Sequence, residues 1–249
     1  IDALTYQPMC GAGTLPVAKV LVETGMVKRV EPETKIVLET PTGLVTVYVK
    51  WENHTVASIN LENVPAFLYR KDLHIDLAGY GDVSVDIGYG GNFFVLADVH
   101  SLGLTITKDT VNLLRSLSKD ILAAANKVIK VAHPTNPAIN YLDQVLFCQN
   151  VPEEDGGYLA QCIFGDAQAD ISPCGTGTST RLAQRYFRGL IGLEETFVQK
   201  SVCGGAFHAK GLRETTLGGV PAIVPYVSCS DVHITGFNHL IVEENDKLK

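Results

Sequence analysis

Nearly the same phrase occurs twice in this chain: Cys10-Gly11-Ala12-Gly13-Thr14 and Cys174-Gly175-Thr176-Gly177-Thr178. The correspondence runs further. A glycine follows each cysteine at the same spacing (Gly25 and Gly189), and two apolar residues follow each glycine, Met26-Val27 and Leu190-Ile191. Glu33-Thr34-Lys35-Ile36 then answers Glu195-Thr196-Phe197-Val198. A thiol followed by glycines reads as a cysteine opening a helix, with the later glycine as its stop. Two such units demand a fold with two equivalent helix starts, hence two half-sites able to meet across one small ligand.

Strand signals dominate the rest. A helix is expected over 15–24, with Pro16 tolerated in the first turn, where its missing N–H would be unpaired anyway. Residues 35–39 and 44–51, joined by Pro41-Thr42-Gly43, read as a β-hairpin, and 56–61 as another strand. Pro65-Ala66-Phe67-Leu68 reads as the passage between two units. Strands follow at 73–77, 83–87 and 93–97. A long helix over 110–131 is expected next, capped by Asp109, with Val111, Leu114, Leu117, Ile121, Val128 and Ile129 on one face and the segment from His133 to Pro137 ending it. Strands at 144–148 and 158–164 flank an acidic loop, Glu153-Glu154-Asp155, which reads as solvated surface. The second cysteine helix covers 175–187, and strands at 197–203, 206–210, 222–228 and 240–243 complete the chain.

Composition narrows the function classes. With 249 residues, 46% of them apolar, the chain can form one large or two medium domains, and the repeat favours two. A net charge of −7 with no Lys/Arg run longer than two argues against nucleic acid or an anionic membrane as partner. No apolar stretch reaches the roughly 18 residues of a membrane span. The six cysteines show neither Cys-x-x-Cys nor a zinc-like Cys/His spacing, so reduced cytoplasmic thiols and no metal site are expected. Cys148, Cys162 and Cys229 read as core and Cys203 as a buried structural thiol. His133, His208 and His239 read as structural.

Glycines beside a helix N-terminus let backbone N–H groups approach a ligand, and the helix end favours negative charge. A substrate carboxylate and a cysteine thiolate both suit that field. Facing one another, two such sites put a thiolate on one side of an acid's α-carbon and a thiol on the other. One removes a proton and the other returns one, which is racemisation or epimerisation and needs no cofactor. A phosphate loop fits less well, because Pro16 and Thr180 occupy the third-glycine positions of Gly-x-Gly-x-x-Gly.

The segments Pro8-Met9-Cys10-Gly11 and Asp170-Ile171-Ser172-Pro173-Cys174-Gly175-Thr176-Gly177-Thr178 resemble the two signatures of the proline racemase family, which also holds 4-hydroxyproline 2-epimerases and trans-3-hydroxyproline dehydratases. The likeness includes the stretch from Val85 to Phe94, Glu195-Thr196-Phe197-Val198 and Ile234-Thr235-Gly236-Phe237-Asn238. It implies an α/β fold of two pseudo-symmetric lobes, each a curved, mostly antiparallel sheet around a central helix, with the active site in the cleft between them. The lobes would be 1–68 with 238–249, lacking its N-terminal part, and 69–237. The resemblance makes Cys10 and Cys174 the two bases. Gly11, Ala12, Gly175 and Thr176 would supply N–H groups to the substrate carboxylate, Asp170 an acid near the ring nitrogen, and Phe164 a wall of the ring pocket. It also implies a homodimer acting on proline or hydroxyproline.

Two departures stand out against the family pattern: Ala12 replaces the usual histidine and Ile171 the usual arginine. Two retained cysteines favour a racemase or epimerase over the dehydratase branch, which typically replaces the second. The alternatives are that dehydratase and a homologue that binds the amino acid without turning it over. Gln144, Phe93 and Phe164 are candidates for setting the preference between proline and its hydroxylated forms.

Overall fold

The computed structural model describes residues 7–150, 157–238 and 245. Its helices are α1 (Gly11–Glu23), α2 (Val111–Val128) and α3 (Gly175–Phe187). The first strands are β1 (Glu33–Thr40), β2 (Gly43–Glu52), β3 (Thr55–Glu62), β4 (Phe67–Leu77), β5 (Gly81–Tyr89) and β6 (Phe93–Asp98). After α2 come β7 (Gln144–Asn150), β8 (Gly157–Phe164), β9 (Gln168–Ala169), β10 (Phe197–Lys200), β11 (Ala206–Leu217) and β12 (Val220–Cys229). The acidic loop at 153–155, the strand expected at 240–243 and His239 lie outside the described residues. No described helix is long and apolar enough to cross a membrane.

The strands form one sheet in the order β1-β2-β3-β12-β11-β10-β8-β7-β6-β5-β4, with β9 beside β8. Pairings β6–β7 and β8–β10 are parallel; the other described pairings are antiparallel. The run from β12 to β4 curls until its ends meet. Ala66 and Ile223 exchange backbone hydrogen bonds of 2.8 and 2.9 Å, joining the two edges. Helix α3 lies inside this closed wall, packed on β4 and β5 from one end of the run and on β11 and β12 from the other. Helix α1 packs on β2 and β3, which continue the sheet outward from β12. The chain is therefore α/β, with curved, mostly antiparallel sheet around helices.

Burial alternates along β2, where Val45, Val47, Val49 and Trp51 face the core, as a half-buried strand requires. Helix α3 is different. Thr176, Thr178, Ser179, Thr180 and Arg181 are all buried, so each polar group needs a partner. Ser179 and Thr180 donate to the carbonyls four residues back, Gly175 and Thr176. Gln199 reaches Thr178 Oγ1 and the Pro173 carbonyl, and Arg181 donates to the Leu159 and Gln149 carbonyls. The bonds that leave the helix, from Gln199 to Thr178, from Asn63 to Ser179 and from Arg181 to the strands, fix it in one rotation and one height.

Several local expectations need correcting. Helix α1 begins at Gly11, so Pro16 sits in its second turn and leaves the Ala12 carbonyl without its helical donor. Helix α2 is capped at Thr110 rather than Asp109, and the Thr110 hydroxyl turns back to the Thr105 and Thr107 carbonyls. It stops at Val128, which is exposed, because the chain must run extended to bury Val131. Strand β10 ends at Lys200, since Ser201 and Gly205 close a turn there. Cys203 stands exposed on that turn rather than buried.

At the other end of α3, buried Asp86 accepts from Arg188, Gln184 and the Asp72 N–H. Burial pushes its carboxyl up, but these hydrogen bonds outweigh burial and hold it below its ordinary value. A depressed carboxyl stabilises the fold above the unfolded range of about 4 and loses that contribution as pH falls through its folded value. Asp86→Asn should therefore cost about 2–3 kcal/mol at pH 7, less than a wholly buried pair because Arg188 remains partly solvated. Urea unfolding should show this deficit shrinking toward acid pH.

Candidate active site

The N-termini of α1 and α3 meet. A Cβ placed on Gly11 would lie 2.9 Å from the Gly175 Cα, and one on Gly175 would lie 2.8 Å from the Gly11 Cα. Backbone approach this close is open only to glycine at both positions. The same contact puts the Ala12 and Thr176 nitrogens 3.2 and 3.4 Å from those Cβ positions. The two copies of the repeated phrase thus touch through their glycines.

Each cysteine is the N-cap residue of its helix. The Gly177 N–H donates to Cys174 Sγ at 3.3 Å, whereas Cys10 makes no such side-chain cap and only the nearness of the Gly13 N–H favours its thiolate. Sulfur therefore takes the third N–H of α3. The N–H groups of Gly11, Ala12, Gly175 and Thr176 make no hydrogen bond to another described residue. Four donors, at the positive ends of two helices, converge where the helices touch.

The thiols differ in setting. Cys174 is 6% exposed and has φ 64° and ψ 102°, a backbone conformation a side chain rarely adopts and one that stores strain. Its N–H donates to Ser172 Oγ, and the Ser172 N–H to Asp170 Oδ1 at 2.8 Å. It belongs to a buried cluster with Phe94, Leu96 and Leu146, against which Phe164 packs. Cys10 keeps an exposed face. Partial withdrawal from water is the main cause that pushes its thiol above the ordinary value; the Gly13 N–H opposes it, and Cys174 and Asp170 add to it through their charge. Burial likewise pushes the Asp170 carboxyl up, against hydrogen bonds from Ser172 and Cys174.

Cys10, Gly11, Ala12, Asp170, Cys174, Gly175, Thr176 and Phe164 are thus placed together. Ile171 is 77% exposed and lines a pocket with Ala12, Pro173 and Phe207. Phe93 points away into an aromatic group with Phe67, Tyr69 and Tyr89, and its neighbour Phe94 faces the buried cluster that contains Cys174. Successive strand residues face opposite ways, so a displacement of one residue exchanges core for site. Gln144 donates to Gln7 Oε1 at 2.6 Å.

Two participants were not singled out from sequence. Buried Asn92 donates to the Met9 carbonyl at 2.8 Å and to Thr176 Oγ1 at 3.3 Å, tying the approach to Cys10 to the first turn of α3. Gly90 and Gly91 allow this: a Cβ on Gly90 would lie 2.5 Å from the Thr176 carbonyl oxygen, and Gly91 has φ +117°. The Gly-Gly-Asn between two strands was the available signal. The other is Cys162, read as core. It is 2% exposed, yet its Sγ, Cys174 Sγ and an Asp170 carboxylate oxygen lie within 4.8 Å of one another.

Forcing the helix starts apart should cost overpacking energy. Gly11→Ala and Gly175→Ala should each destabilise the protein by about 1–3 kcal/mol in urea unfolding. Gly192→Ala, whose Cβ would meet nothing nearer than a Glu195 oxygen at 3.7 Å, should stay within about 0.5 kcal/mol.

A proline racemase family profile matches residues 1–249. The proline racemase of Acetoanaerobium sticklandii is 38% identical over 250 residues, covering 100% of this chain and 74% of its own length. A trans-3-hydroxy-L-proline dehydratase of Burkholderia cenocepacia is 37% identical, covering 98% of this chain and 72% of its own. The crystal structure of a hydroxyproline epimerase from Agrobacterium vitis, with bound trans-4-OH-L-proline, matches with a TM-score of 0.85 at 32% identity over 90% of this chain and 64% of that one. Matched from end to end by the family profile and by relatives that include isomerases, the chain belongs to the proline racemase family of enzymes.

Proposed function

We propose that this protein inverts the α-carbon of proline or a 4-hydroxyproline by a two-base mechanism without a cofactor. The observation that carries the reading is the pair of N-cap cysteines on helices whose starts abut, with four unspent N–H donors between them. The donors hold the substrate carboxylate, and Asp170 faces the ring ammonium, whose positive charge offsets the cost of burying that carboxylate. Phe164 bounds the ring. One cysteine, as thiolate, takes the α-proton; the other, as thiol, delivers a proton to the opposite face. The charges of the two sulfurs are then exchanged, so the product leaves an enzyme ready for the reverse direction.

An α-proton is a weak acid, so the base that removes it gains from a high proton affinity. The elevated Cys10 thiol suits that need once ionised. Turnover in the direction that uses Cys10 as base should therefore keep rising with pH through the ordinary thiol range, measured as initial rates for each enantiomer separately.

Incubation of reduced protein with L-proline and with trans-4-hydroxy-L-proline in D2O tests the reading. Deuterium should enter at Cα with loss of optical purity, and Cys10→Ala or Cys174→Ala should cut inversion by at least about a hundredfold. Asp170→Asn should raise KM more than it lowers kcat. Folded protein that exchanges neither substrate sinks the proposal. Release of a cyclic imine from trans-3-hydroxyproline would mark it as a dehydratase, and binding of pyrrole-2-carboxylate without exchange would mark a non-catalytic homologue.

A further inference from the structure

We propose that Cys162, Asp170 and Cys174 form an inhibitory site for a thiophilic divalent cation, zinc foremost. Their three ligand atoms already lie within 4.8 Å of one another. Tetrahedral zinc, with Zn–S near 2.3 Å and Zn–O about 2.0–2.2 Å, wants such atoms roughly 3.5–3.8 Å apart, a small contraction. Spacing in the chain conceals the set, because its members come from a strand, a turn and a helix cap.

The turn that presents them is held independently of any ion. The Asp170 N–H donates to the Cys162 carbonyl at 3.0 Å, Gln161 Nε2 to the Asp170 carbonyl at 2.8 Å, and the Ser172 N–H to Asp170 Oδ1. Phe94, Leu96 and Leu146 share one buried apolar cluster with the two cysteines, and Asp170 is half-buried. A water fits the fourth position. Two thiolates and a carboxylate around a dication leave one net negative charge, which the N-terminus of α3 favours. Cys162 has no part in the proton transfer proposed above. Its thiol is pushed well above the ordinary value, first by its hydrogen bond with Cys174 and then by burial. Binding displaces a proton from each thiol. An ion here occupies Cys174 and Asp170 together, so it excludes the substrate and silences one base.

The test uses the full chain, reduced and kept anaerobic with a thiol-free reductant. X-ray absorption of the zinc-loaded wild type should show one ion per chain with two sulfur neighbours and light atoms completing the shell. Cadmium titration should give a thiolate charge-transfer band that loses about half its intensity in Cys162→Ala and is unchanged in Cys10→Ala. Zinc should inhibit Cys162→Ala at least about tenfold less strongly than wild type. Any sulfur count other than two in the wild type overturns the proposal. So does a band unaltered by Cys162→Ala, one lost in Cys10→Ala, or equal inhibition of both proteins. The spectroscopic measurements need no turnover, so they decide the metal site even if the chain proves inactive on proline.

Discussion

Two helix starts in backbone contact, Gly11 against Gly175, are the constraint on which the other features depend. A side chain at either position would meet main chain below 3 Å. The contact brings two positive helix ends together, an arrangement that costs electrostatic energy while nothing negative lies between them. Two cysteine sulfurs at the helix starts, that of Cys174 accepting the third N–H of α3, meet part of that demand. A bound carboxylate would meet the rest. Stability and ligand affinity are thus linked through the same unspent donors.

Holding such a contact requires that neither helix can slide. Helix α3 achieves this with buried hydroxyls and Arg181, which hydrogen-bond at fixed heights where apolar side chains would tolerate rotation. Asn92 spans from Met9 to Thr176, so the approach to Cys10 and the start of α3 share one polar tie. Closure of the sheet at Ala66 and Ile223 keeps the wall around α3 continuous. At the site, strain falls on the backbone of Cys174, where the Asp170-to-Cys174 turn must pass into the helix with its sulfur directed at Gly177.

Much of this was legible in the residues. Helix α3 spans the expected 175–187, because its glycine start and its stop near Gly189 are local signals. The hairpin strand expected at 44–51 falls within β2, whose alternating burial is a local period-two pattern. Other elements obeyed distant partners. Val128 and Ile129 continue the apolar pattern of α2, but Val131 is needed in the core and the helix gives way. Phe93 and Phe94 are indistinguishable by composition, and only the way strand β6 faces decides which one joins the cluster that contains Cys174. Cys203 follows an apolar strand yet lies on a turn, because Ser201 and Gly205 pair across it.

The sequence by itself determined that two cysteine-led helix starts exist and what chemistry a thiol, glycines and a helix end can support, since these are properties of neighbours along the chain. It also carried the family, through the segments on either side of Cys174. Tertiary structure alone decided that the two starts touch and that Asn92 joins them. It also set Cys162 beside Cys174, although nothing in the spacing of the chain relates them. The first two are relations between segments far apart in sequence, set by how a curved sheet closes around α3, and the third is set by the fold-back of β9 on β8, which no residue spacing encodes.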